Sequence, residues 1–155
     1  MESSNSNQLN YRTFLIETST DVSKFLDKSE NEEVYNQYSD VTLVLNNVEN
    51  GSGNFYLTNL KLIWLNSDLS GHSYSFPYKS IMFHAISKDT NLFKNPCIFI
   101  QLNVTEEEED NHSLLLSPKD LTLVEPIFEN ISKLSSFNET YSSDEDDANC
   151  EIYEE

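Results

Sequence analysis

From residue 41 onward the apolar positions come in short runs, some alternating and some continuous, divided by polar stretches rich in Asn, Ser and Gly. The β-branched and aromatic segments 41–46, 55–57, 62–65, 73–76, 81–86, 97–102 and 114–116 read as strands. Turn-forming residues at 47–52, 66–71 and 87–95 separate several of them. Pro77 closes the fourth strand, because proline has no N–H to give to a ladder. Trp64, alternating with Leu62, suits the large aromatic plug that a small sandwich needs. Seven short strands at this spacing predict an antiparallel sandwich or barrel.

Near the C-terminus the period changes. Val124, Ile127, Phe128, Ile131 and Leu134 recur at steps of three and four, which predicts an amphipathic helix over about 122–136. Thr122 and Glu125 have the spacing of a capping box. Pro126 either sits in the first turn or the helix begins near Glu125, since an interior proline removes a bond and clashes with the preceding turn. A mainly β fold follows: a pleckstrin-homology-like, seven-stranded antiparallel sandwich or barrel capped by one C-terminal α-helix. The domain is expected over 40–137, with an acidic loop at 104–112.

The flanks read differently. Residues 1–39 are rich in Ser, Asn and Glu and predict a flexible arm with a short helical turn near 21–27. Within it, the apolar patch Phe14, Leu15 and Ile16 either packs locally on the domain or captures a partner. Residues 138–155 are polar and acidic, so a disordered tail is expected.

Charge narrows the function. The chain has 155 residues and a formal net charge of −18, with 27 acidic and nine basic side chains. Five acids are consecutive, Glu106, Glu107, Glu108, Glu109 and Asp110, and eight more follow Lys133. These read as solvated charge runs. A nucleic-acid binder neutralises phosphates with Lys and Arg, so direct nucleic-acid binding is excluded as an expectation. Anionic lipid surfaces are repelled by the same field, whereas basic proteins are attracted. No apolar run approaches the roughly 20 residues of a spanning helix, so no membrane insertion is expected. The polar N-terminus and two isolated cysteines, Cys97 and Cys150, point to the cytosol and nucleus.

Catalytic chemistry finds no constellation. None of His72, His84 and His112 has a second ligand at metal spacing, so no metal site or cofactor is expected. Gly51 and Gly53 lack the Lys and helix of a phosphate loop. The carboxylates cluster in runs rather than on facing rigid elements, so no enzyme is expected. Phosphoinositide binding would need basic residues around the first hairpin, and 44–57 holds none. His84 is expected to share a strand face with Met82 and Ile86, and Cys97 to be buried. Ser142 and Ser143 each have an acid three residues on, which suits acidophilic kinases as well as an unmodified tail.

Leu45, Asn46, Gly51, Ser52, Gly53, Tyr56, Leu57, Leu62, Trp64, Leu65, Tyr78 and the segment from His84 to Asp89 together resemble the pICln family over about 44–137. That family comprises a methylosome subunit and Sm-protein assembly chaperone, also described as a swelling-activated chloride channel or its regulator. The domain is shared by a fungal stress-related relative. The resemblance implies a chaperone that holds spliceosomal Sm proteins in an RNA-free intermediate. Alternative readings are a regulator of chloride current or cell volume at the membrane, and a generic pleckstrin-like adaptor. In a pleckstrin-homology-like plan the helix closes one open end of the sandwich and leaves the other corner splayed; the strand next to that gap, Ser80, Ile81, Met82, Phe83, His84, Ala85, Ile86 and Ser87, is the expected partner-binding edge. Glu106 to Asp110 are expected to supply diffuse attraction to basic Sm proteins. Family members carry a long acidic region that contacts an arginine methyltransferase; the short tail here, ending at Glu155, weakens the expectation of that contact.

Overall fold

The computed structural model describes residues 14–103 and 111–142, and side chains within 14–103 and 112–136. Eight strands form one antiparallel sheet: β1 (Leu15–Ile16), β2 (Val34–Leu45), β3 (Val48–Thr58), β4 (Lys61–Asn66), β5 (Ser73–Pro77), β6 (Ile81–Ser87), β7 (Cys97–Asn103) and β8 (Asn111–Pro118). One helix, α1 (Val124–Ser142), follows. The hydrogen-bonded order is β1-β5-β4-β3-β2-β8-β7-β6. β5 and β6 are joined only by the 3-10 turn Tyr78–Ser80, yet they lie near opposite ends of that order. The sheet must therefore roll until its two ends meet at that turn, and α1 packs across the corner against β6 and the turn. This is the expected pleckstrin-homology-like plan.

Local chemistry explains the elements. Asn46 and Asn47, with φ of 53° and 69°, make the two-residue turn between paired Leu45 and Val48. Both central residues of such a turn need positive φ, which Asn tolerates best after Gly. The turn expected over 47–52 is thus confined to its start, and β3 already runs from Val48. Gly53 is required by contact rather than by φ: a Cβ there would lie 2.3 Å from the Leu65 carbonyl oxygen and 2.8 Å from the Trp64 ring. Trp64 is fully buried, stacks on Tyr74 at 6.3 Å, and donates its Nε1–H to the Val41 carbonyl at 2.8 Å.

The inner face of the rolled sheet holds Leu43, Leu45, Phe55, Leu57, Leu62, Phe76, Ile98, Ile100, Leu114 and Leu116, sealed by Val124, Ile127 and Ile131 of the helix. The expected apolar stripe of α1 is that seal. Its start differs from the expected capping box. Asp120 accepts the Thr122 N–H at 3.1 Å and the Thr122 hydroxyl at 2.6 Å, so the hydroxyl is spent as a donor. A 3-10 turn Leu121–Leu123 then leads into the helix, placing Pro126 in its first turn. The helix begins two residues later than the expected 122 and its backbone extends to Ser142, past the expected end and into the segment read as tail.

The largest departure is at the N-terminus, where an arm was expected through residue 39. Phe14 is buried in the core and packs on Phe76 at 5.0 Å. β1 pairs with β5 through Leu15 with Tyr74 and Ile16 with Ser73. A 3-10 turn Val22–Phe25, capped by Asp21, falls within the expected 21–27 turn. Ile16, Val22, Phe25, Leu26 and Val34 cover Tyr56, Ile63 and Leu65 on the outer sheet face. β2 begins at Val34, well before Val41. The Phe14–Ile16 patch packs on the domain.

Candidate partner-binding edge

β6 is the last strand of the sheet order, with β7 on one side and no described strand on the other. Its pairing with β7 is regular from Phe83 to Ser87, where Phe83 faces Gln101, His84 Ile100, Ala85 Phe99, Ile86 Ile98 and Ser87 Cys97. A bulge interrupts the ladder between Ile81 and Phe83. Ser80 belongs to the preceding 3-10 turn. The expected edge of eight residues therefore reduces to five with regular register, Phe83 to Ser87.

The bulge also resets the faces. Met82 was expected to share a face with His84 and Ile86, but the extra residue throws it outward, to 51% exposure. His84 and Ile86 oppose the buried Ile100 and Ile98 and so point inward. His84 Nε2 lies 2.9 Å from the Ser132 hydroxyl, and its ring is 5.0 Å from Phe128. The strand is thereby tied to α1. Phe83, 49% exposed, points outward onto Phe99 at 5.6 Å. Phe99 in turn packs on the small outer cluster of Val44, Cys97 and Leu115. An apolar outer face with two half-exposed side chains thus lies directly against the free edge. Single exposed apolar residues are ordinary; here two lie side by side at an edge with no described strand beyond it.

The other end of the sheet is partly covered. β1 occupies the edge of β5, and Thr18 Oγ1 donates to the Gly71 carbonyl at 2.7 Å beyond it. A buried polar cluster fastens this covering. Glu32 Oε1 accepts from Lys61 Nζ at 2.6 Å and from the Asp27 N–H at 2.8 Å; Oε2 accepts the Thr58 hydroxyl at 2.6 Å. The Glu32 carboxylate is fully buried and Lys61 is 20% exposed. Nearby, Tyr78 donates its hydroxyl to the Thr58 carbonyl at 2.7 Å; burial, reinforced by the negative Glu32, pushes its phenol well above the ordinary range. Sequence reasoning did not find this cluster. Its one visible signal was a glutamate in a polar arm followed 29 positions later by a lysine at a tight turn, which local pattern does not connect.

The other candidates separate clearly. Glu106 to Asp110 lie outside the described residues, as do Ser143 and Cys150; Ser142 closes the α1 backbone. Residues 111 and 112, expected in the acidic loop, belong to β8, and His112 is buried beside Asn46. The β7–β8 hairpin holding the acidic run opens at the Ile81 end of β6, since Leu102 pairs with Ile81 and Asn103 with Asn111. Cys97 is buried, which raises its thiol pKa. Among the described residues no His, Cys, Asp and Glu group could hold a metal. Likewise, no described helix is long and apolar enough to cross a membrane.

The family model described as "regulator of volume decrease after cellular swelling" matches residues 53–155. The chain is similar to the chloride conductance regulatory protein ICln of Arabidopsis thaliana, 29% identical over 128 residues, covering 73% of this chain and 56% of that protein. It is similar to the methylosome subunit pICln of Canis lupus familiaris, 32% identical over 93 residues, covering 60% of this chain and 39% of the relative. It thus spans about half, or less, of the length of these relatives. Two solved structures share the fold. A chain of "The 8S snRNP Assembly Intermediate" aligns with a TM-score of 0.57 at 19% identity, covering 66% of this chain and 82% of that one. The Vps36 N-terminal PH domain aligns at 0.55 and 13%, covering 72% and 84%.

Proposed function

We propose, from the premise that this chain belongs to the family of regulators of volume decrease after cellular swelling that includes the pICln proteins, that it is a non-catalytic binding protein for Sm proteins. The observation that carries this reading is the asymmetry of the two end strands: β1 has only two residues, whereas β6 has seven and holds regular register from Phe83 to Ser87 with no described strand on its outer side. An added partner strand would pair with Phe83 to Ser87, take main-chain hydrogen bonds for affinity, and lay an apolar side chain against Phe83 and Phe99. A net charge of −18 favours a basic partner, which Sm proteins are, and disfavours the RNA they later carry. In this reading Glu106 to Asp110 add diffuse attraction, phosphates on Ser142 and Ser143 deepen it, and the protein works in the cytosol and nucleus. The names of its relatives, and that of the assembly in which its structural neighbour was solved, support snRNP assembly as the setting; that the intermediate is RNA-free is part of the proposal.

The test is amide exchange on the full chain with purified Sm subunits at moderate salt. Backbone N–H groups on a strand point alternately to either side, so alternate amides between Phe83 and Ser87 should gain protection. Phe83→Lys, which puts a like charge against a basic partner at a central apolar contact, should weaken binding at least tenfold. Leu15→Lys, at the capped end, should leave binding unchanged if the fold holds. Protection located elsewhere, or capture of lipid vesicles without Sm subunits, would overturn the proposal, the latter in favour of the conductance-regulator reading.

A further inference from the structure

Ser29 is exposed at the tip of the loop that fastens residues 14–34 to the domain. Its N–H and its hydroxyl both donate to Asp27 Oδ1, at 3.0 and 2.6 Å. The same loop is latched to the β3–β4 turn on two fronts. Glu32 is clamped by Lys61, Thr58 and the Asp27 N–H. Glu33 donates its N–H to Asn59 Oδ1 at 2.8 Å and accepts from the Asn59 N–H at 3.3 Å. Asn31, at φ 56°, lets the loop turn back between the two. Ser29 follows Asp27 and Lys28 and is followed by acids, with Glu30, Glu32 and Glu33 one, three and four positions after it. That spacing is what the basic substrate groove of an acidophilic kinase reads.

We infer that Ser29 is a phosphorylation site whose modification and the closed latch exclude one another. In the closed loop the Glu32 carboxylate is fully buried, so the kinase can read it only when the latch opens. In the transfer, Ser29 Oγ forms a bond to the terminal phosphorus of a nucleoside triphosphate as the bond to the leaving diphosphate breaks, and the kinase's base takes the hydroxyl proton. The product has lost the hydroxyl, one of the two donors that held Asp27, and gained about −1.5 to −2 charge next to it, on the same short loop as Glu32. Reclosure then sets a phosphate against carboxylates in place of a hydrogen bond. An open latch releases the cover over Tyr56, Ile63 and Leu65 and frees β1 from β5. A second sheet edge is thereby unmasked. This device is independent of what binds β6.

The experiment treats the full chain with ATP and an acidophilic kinase of the casein-kinase type, and follows Ser29 by mass spectrometry. Lys61→Ala and Asn59→Ala each loosen the latch from a different side, and protected β7–β8 amides establish that each variant is folded. Both should raise the rate at Ser29 about tenfold or more, and a peptide of residues 24–36 should react faster still. Phosphorylated wild-type protein should show faster exchange at Leu15, Ile16 and across 22–34, with β7 and β8 unchanged; Ser29→Ala should abolish that response to kinase. Equal rates in wild type and both variants, an unreactive peptide, or unchanged exchange after phosphorylation would each overturn the inference.

Discussion

Replacing Lys61 by Met removes the only charged partner of the Glu32 carboxylate among the described residues while keeping a stem of similar length. Breaking a buried ion pair from one side typically costs about 3–5 kcal/mol, because the remaining charge stays desolvated. Two features reduce that here. Lys61 is 20% exposed, so water reaches the place it vacates. Glu32 also keeps two neutral donors, the Thr58 hydroxyl and the Asp27 N–H. The expected loss is therefore about 2 kcal/mol. For a chain of this size that lowers Tm by roughly 4–8 °C.

The double replacement Glu32→Leu with Lys61→Met separates this reasoning from simple loss of packing. With both charges gone no ion is left buried, and Thr58 Oγ1 still has the Lys61 carbonyl at 3.1 Å as an acceptor. The double variant should lie within about 1 kcal/mol of wild type, since apolar replacement of a buried pair is often neutral. Urea unfolding supplies the cycle, with the midpoint moving at constant m-value. Additive losses, or less than about 0.5 kcal/mol for Lys61→Met alone, would refute the claim that the pair is coupled and buried.

Tyr78 titrates upward in the fold, so its contribution is full below the unfolded pKa near 10 and is lost as pH rises above it. Tyr78→Phe should cost about 1 kcal/mol at neutral pH through the lost bond to Thr58 and should flatten the alkaline decline seen by thermal melts from pH 9 to 11. Gly53→Ala should destabilise by about 3 kcal/mol or fail to fold, since its Cβ meets a carbonyl oxygen at 2.3 Å; Gly51→Ala, with open space but φ of 97°, should cost about 1 kcal/mol in the same denaturation assay. Cys97 should resist alkylation at pH 8 until denaturant is added, because its thiol is buried and its pKa raised; rapid labelling of the native protein would contradict that placement.

The strands were legible wherever a local pattern carried their burial. Leu43, Leu45, Leu62, Trp64, Ile98 and Ile100 all sit in the core that alternation or a continuous run implied. The helix was legible for the same reason, through Val124, Ile127 and Ile131. What failed to show were features made by distant residues. β1 is two residues long, too short for any period, and its identity comes from Tyr74 and Ser73 across the sheet. The Glu32–Lys61 pair spans 29 positions, and an isolated acid in a polar stretch gives no sign that it is buried. The bulge at Met82 likewise leaves the sequence looking like uniform alternation while reversing which residues face out. A register reset belongs to the neighbouring strand as much as to its own.

These hidden features also explain why a bare edge is tolerable. An exposed strand invites pairing with any other edge, including that of a second copy. Here the bulge limits regular ladder to Phe83–Ser87, and the charge of −18 sets copies against one another. At the other end the two-residue β1 covers Ser73 and Tyr74 of β5, which leaves little regular edge for a head-to-tail chain of copies to grow on. The surface left over is short, apolar on one face and embedded in a negative field. A basic partner satisfies all three conditions at once, whereas another copy meets only the first two. If β6 is the binding edge proposed above, its specificity comes less from attraction at that strand than from closing the alternatives around it.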